Sequence, residues 1–182
     1  MIRTMRAVFM ALSMLTSVAA FCETPAKPYV QAPIYKKLRA QALAFTAADA
    51  RSKAAVYGVV MEIGYPEAVA TLVSLADGTT SLYFSNGGGK IGAEDSPKVA
   101  AASKQLVSES AADLDKRTPT VETPLPLLDH TRFYLLTTSG LRTGEALEET
   151  LSDQKHPLSQ LFYWAQAVLT EIRLQETSAK DK

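Results

Sequence analysis

Residues 55–85, AVYGVVMEIGYPEAVATLVSLADGTTSLYFS, decide the fold. Val56, Tyr57, Val59, Val60, Met61 and Ile63 are β-branched, aromatic or long apolar residues without helical spacing. They are apolar on both faces, which predicts a strand in the middle of a sheet. Gly64-Tyr65-Pro66 makes a turn. Val69, Thr71, Val73 and Leu75 then alternate with Ala70, Leu72 and Ser74, and Asp77-Gly78 is a hairpin turn. Thr80 to Ser85 follows, with Leu82 and Phe84 on one side and Ser81, Tyr83 and Ser85 on the other. The stretch is a three-stranded antiparallel meander that stops at Asn86-Gly87-Gly88-Gly89.

On its N-terminal side, Ile34, Leu38, Ala42 and Phe45 recur at helical intervals, with Lys36, Lys37, Arg39 and Gln41 on the wet face. This helix is expected to end near Asp49 to Arg51. On the C-terminal side, Asp95 or Ser96 can cap a helix with Pro97 as its first residue. Val99, Ala102, Leu106, Ser110 and Leu114 then mark an Ala/Ser-rich packing side that allows close approach to a sheet. Thr118 to Leu128 holds Pro119, Pro124 and Pro126 and reads as an irregular crossing segment. Arg132 to Thr138 is a strand, Ser139-Gly140 a turn, and Leu141 to Ala146 a short edge strand. Pro157 opens a last helix with Leu158, Leu161, Phe162, Ala165, Leu169 and Ile172 inward. The order α-β-β-β-α-β-β-α predicts an α+β domain over 34–174: a five-stranded antiparallel sheet with helices packed on its faces, followed by a charged tail at 175–182.

This order, with Asp77-Gly78, the stretch Ser81-Leu82-Tyr83-Phe84-Ser85 and a glycine turn before a small-residue helix, resembles the profilin-like group that includes roadblock and longin domains. The likeness spans roughly Ile34 to Leu174. It implies a profilin-like sheet and a role in dimerisation or scaffolding rather than catalysis. The chain is also similar to small exported bacterial proteins.

Residues 1–20 are of another kind. Arg3 and Arg6 precede the apolar run Ala7 to Val18, too short to span a bilayer comfortably, and Val18-Ala19-Ala20 offers small residues for cleavage. This pattern predicts a secretory signal peptide and an exported, periplasmic or secreted, protein with no transmembrane helix in its mature chain. Residues 21–33 carry Pro25, Pro28 and Pro33 and form an extended tether. Cys22 lies just past the cut and admits acylation, an intermolecular disulfide or a free thiol. Phe21 stands where a lipoprotein signal needs a small residue, which argues against acylation.

Equal numbers of acids and bases, 19 of each, leave no field to hold nucleic acid. One Cys and two His supply neither an internal disulfide nor a zinc site, and no cofactor is expected. The most unusual local feature is Gly87-Gly88-Gly89-Lys90-Ile91-Gly92. Its backbone N–H groups can cradle an anion near the following helix, or the glycines serve only a strand-to-helix turn with φ > 0. It lacks the P-loop pattern, since Ile91 replaces the hydroxyl residue. Asp129-His130 with Thr138 or Ser139 invites a nucleophile–base reading, but no Gly-x-Ser-x-Gly elbow is present. His156 stands before Pro157 as a helix-start residue. Either Tyr65, Tyr83 and Tyr134 share a protein-contact surface, or Tyr83 and Tyr134 pack beneath a helix. Glu145, Glu148, Glu149 and Asp153 are spaced like a solvated acidic face. The reading that follows is a non-enzymatic protein-binding or self-associating scaffold; the alternative is a small-ligand or anion carrier using Gly87 to Gly92.

Overall fold

The computed structural model describes residues 29–180. The proposed signal segment, Cys22 and the first part of the tether lie outside the described residues. Among the described residues the fold is α+β, with four α-helices on a single antiparallel sheet of seven strands, not five. The strands are β1 (Val56–Gly64), β2 (Val69–Leu75), β3 (Thr80–Phe84), β4 (Gly89–Ile91), β5 (Thr118–Thr120), β6 (His130–Thr137) and β7 (Gly140–Leu147). Their spatial order is β4-β3-β2-β1-β6-β7-β5. The five-strand layout expected from the element order is therefore corrected at both edges. β4 and β5 have three residues each, too short to display a period of two, and β5 carries Pro119 at its centre. A proline is tolerated there because an edge strand leaves one side of its backbone unpaired. With β5 outside it, β7 is an interior strand and not the expected edge.

The central position of β1 follows from its composition, and all nine of its residues are buried. It pairs with β2 on one side and β6 on the other. The β1–β6 register shifts between Val56 and Gly58, leaving Tyr57 as an extra residue. This bulge explains why Val56 and Val59, three apart, face the same core cluster while Tyr57 and Val60 face the other.

The two sheet faces have different covers. On one, α2 (Pro97–Ser110) and α4 (Ser159–Lys180) bury Met61, Ile63, Leu72, Phe133 and Leu135. The inward face predicted for the last helix is the one observed, and Val168 joins it. Ser103 of α2 is fully buried; its hydroxyl donates to Ser74 Oγ at 2.9 Å and shares a hydrogen bond with Thr80 Oγ1. Small residues thus bring α2 close to β2 and β3. A short helix, α3 (Glu148–Ser152), precedes α4 and seats Leu151 in the same core. Residues 175–180, read as tail, continue α4.

α4 crosses the strands instead of following them. Leu158, just before it, is the side chain that a Cβ on Gly144 of β7 would meet, while Gln175 near its other end accepts from Lys90 of β4. The seventeen residue steps from Leu158 to Gln175 rise about 25 Å. Five inter-strand steps, from β7 to β4, cover about 24 Å.

The opposite face is covered by α1 (Pro33–Leu43) and the segment after it. α1 stops at Leu43, several residues short of the expected end, and its buried face is rotated from the predicted one. Tyr35, Leu38, Arg39 and Ala42 point inward, whereas Ile34 is 55% exposed. The rotation places a tyrosine hydroxyl and a guanidinium over a carboxylate in the sheet, which an apolar face could not satisfy.

Candidate functional site

Where the end of α4 passes over the β2-β3-β4 edge, no further helix among the described residues fills the angle between helix and sheet. A groove of about 530 Å³ remains. Its floor is Ile63, Ala70 and Leu82 from the sheet with Leu169 and Ile172 from α4; Phe84 and Tyr65 stand at its mouth, 37% and 40% exposed. Lys90, Arg173 and Glu176 supply its charges. The Lys90 ammonium donates to Gln175 Oε1 at 2.7 Å, which fixes its position and leaves two N–H groups for other acceptors. Arg173 lies near enough to Tyr65 to oppose the rise in that phenol's pKa, a rise caused by burial first and the charge of Glu148 second. The volume and the mixture of apolar floor with a few polar groups are those of small-ligand sites.

The glycine turn contributes to this groove in a way the sequence does not announce. Gly87, Gly88 and Gly89 have φ of 108°, 84° and 136°, and they close the β3–β4 hairpin instead of leading into a helix. A Cβ on Gly89 would lie 2.5 Å from Tyr83 Cα and closer still to Leu82 O. Glycine is thus required for β4 to reach β3. Gly89 and Lys90 line the groove; Gly87, Gly88 and Gly92 do not. A 3-10 turn, Ala93–Asp95, and Ser96 intervene before α2, whose N-cap Ser96 makes no side-chain capping bond. The backbone arrangement is therefore a hairpin, not the mouth of a helix.

Tyr83 is only 4% exposed and Tyr134 is fully buried beneath α1, so neither lies on a protein-contact surface, and Tyr65 is the exposed member of the three. Tyr83 meets Tyr35 edge-on with centroids 5.8 Å apart, and Tyr134 donates to Pro124 O. Between them lies the most polar feature of the core. Glu62 is fully buried; Arg39 Nε and Nη2 donate to its two oxygens, and Tyr35 and Thr71 hydroxyls lie beside it. Arg39 also stands 5.9 Å over the Tyr134 ring. The sequence reading missed this cluster and set Arg39 on the wet side. The signal was present as a lone carboxylate, Glu62, within an otherwise apolar central strand. Its oxygens take Nε and Nη2 of the guanidinium, and Nη2 also donates to Pro124 O, so the cluster anchors α1 to the sheet.

The remaining candidates do not assemble. His130 opens β6 and its Nδ1 lies 2.8 Å from Leu128 O, whereas Thr138 and Ser139 follow the other end of the same strand. An eight-residue strand separates them by over about 20 Å. Asp129, at φ 59°, is engaged through its backbone with Gly64 and Glu148. His156 Nδ1 accepts from Leu158 N, and His156 N donates to Ser159 Oγ, so this residue shapes the entry to α4. Glu145 pairs with Arg132 and accepts from Leu127 N; burial, then the charge of Asp129, raises the pKa of Glu148. Among the described residues no group of three His, Cys, Asp or Glu could hold a metal ion, and no helix is long and apolar enough to cross a membrane.

Comparison with known proteins adds no relative: no family model, no curated protein and no solved structure matches the chain.

Proposed function

We propose that the protein is an exported, non-enzymatic binding module whose ligand occupies the groove between α4 and the β2-β3-β4 edge. The observation that carries this reading is the groove itself, an apolar concavity of about 530 Å³ with charged groups at its wall. The export component rests on Arg3, Arg6, the run Ala7 to Val18 and Val18-Ala19-Ala20. Intact mass of protein recovered from the cell envelope of its host tests that component; a chain retaining residues 1–20 there would refute it.

The groove is tested with a neutral apolar fluorophore, N-phenyl-1-naphthylamine, titrated against the wild-type protein and a Leu82→Trp variant. Saturable enhancement in the wild type and its loss in the variant, with the far-UV spectrum unchanged, is the expected result. Enhancement equal in both proteins, or absent from both, would refute it.

A second reading, docking of a protein partner or a second copy along β4, is favoured by Ile91, 66% exposed on an edge strand. Sedimentation of wild type and Ile91→Lys tests it. A concentration-dependent dimer that the substitution dissociates supports this reading, and a monomer in both excludes self-association.

A further inference from the structure

Resting on the groove as the binding site, we infer that its ligand is an amphiphile with a linear or flat apolar body and a single carboxylate head, held by Lys90 and Arg173. The apolar body follows from the floor, since Leu82, Leu169 and Ile172 present only aliphatic surface to the groove. The carboxylate follows from the charges. Lys90 is bonded to a neutral amide, and the Arg173 guanidinium makes no hydrogen bond or ion pair among the described residues. Two cations without a carboxylate partner therefore line one apolar concavity. Glu176 lines it as well and forms no ion pair with either. Its charge leaves the wall with one net positive charge, matched to a monoanion and poorly matched to a phosphate dianion. The two cations come from different elements: Lys90 sits on the short edge strand, clamped by Gln175, and Arg173 on the helix. A head group between them would bridge β4 to α4 and close the groove over the apolar body. A guanidinium also takes a carboxylate in a bidentate fork, which an ammonium cannot do.

The experiment uses the purified protein and three ten-carbon probes below their micellar concentrations: decanoate, decanol and decyltrimethylammonium, each titrated by displacement of the neutral fluorophore. Decanoate is expected to bind about tenfold more tightly than decanol, the scale of one charge-assisted hydrogen bond, and the cationic probe most weakly. Lys90→Met and Arg173→Met should each lower decanoate affinity toward that of decanol and leave decanol unchanged. Decyl phosphate, titrated at a pH where it is dianionic, should bind no better than decanoate. Equal binding of all three head groups, or equal loss of decanol and decanoate in the variants, would overturn the carboxylate assignment while leaving the groove standing. Binding of none of the probes, with no fluorophore enhancement, would remove the groove reading itself.

Discussion

Arg39 of α1 forks onto Glu62 at the centre of the sheet, Nε to Oε1 at 2.6 Å and Nη2 to Oε2 at 2.8 Å, and Glu62 is fully buried. A buried pair of this kind gains little over an apolar pair of equal volume, but loss of one partner strands a charge away from water. Arg39→Met is therefore expected to cost about 3–5 kcal/mol. The double variant Arg39→Met/Glu62→Leu should recover most of that loss. Urea denaturation of both decides it; a single variant within about 1 kcal/mol of wild type would show that the carboxylate finds water or another donor.

Three tyrosines where α1 packs on the sheet make the fold alkali-sensitive. Burial first, then the Glu62 charge, raises the phenols of Tyr35, Tyr83 and Tyr134, that of Tyr134 to about 12. A phenol that ionises later in the folded than in the unfolded chain contributes stability that is complete below the unfolded value, 10.0, and lost as pH rises toward the folded one. Tm should hold up to about pH 10 and fall between 10 and 12. Tyr134→Phe should flatten part of that fall. Absorbance at alkaline pH should show these phenols ionising only as the fold is lost; their full ionisation in a folded chain would contradict the burial.

The glycine turn separates steric need from conformational preference. Gly89→Ala meets Tyr83 Cα and Leu82 O at a φ of 136°, whereas a Cβ at Gly88 meets nothing within 4 Å at a φ of 84°. Gly88→Ala should cost about 1–2 kcal/mol, the left-handed penalty alone. Gly89→Ala should cost more and expose the groove by detaching β4. Thermal denaturation ranks the two, and equal costs would mean that β4 is not held against β3.

Ser103→Val removes the hydroxyl joining Ser74 to Thr80 and adds volume where α2 lies close to the sheet. A loss of about 1–3 kcal/mol follows from the unpaired hydroxyls, with overpacking adding to it. Ser103→Ala should fall below the valine variant. A valine variant as stable as wild type would mean that α2 has room to move.

By itself the sequence determined the antiparallel meander, the central place of β1, the span of β2 and the buried face of α4. Each is written in a local pattern along one segment, and the Val56–Ile63 run is apolar on both faces because both are covered. Tertiary structure alone decided the rest. β4 and β5 exist because a neighbour supplies their hydrogen bonds, and three residues carry no period from which to infer them. The face of α1 was decided by Glu62, twenty-three residues beyond Arg39 in the chain: a buried carboxylate demands a cation, and no local pattern says which helix provides it. The groove belongs to the same class. Lys90 and Arg173 are eighty-three residues apart, and only the passage of α4 across five strand spacings brings them to one wall, because helix rise and strand separation happen to match over that distance.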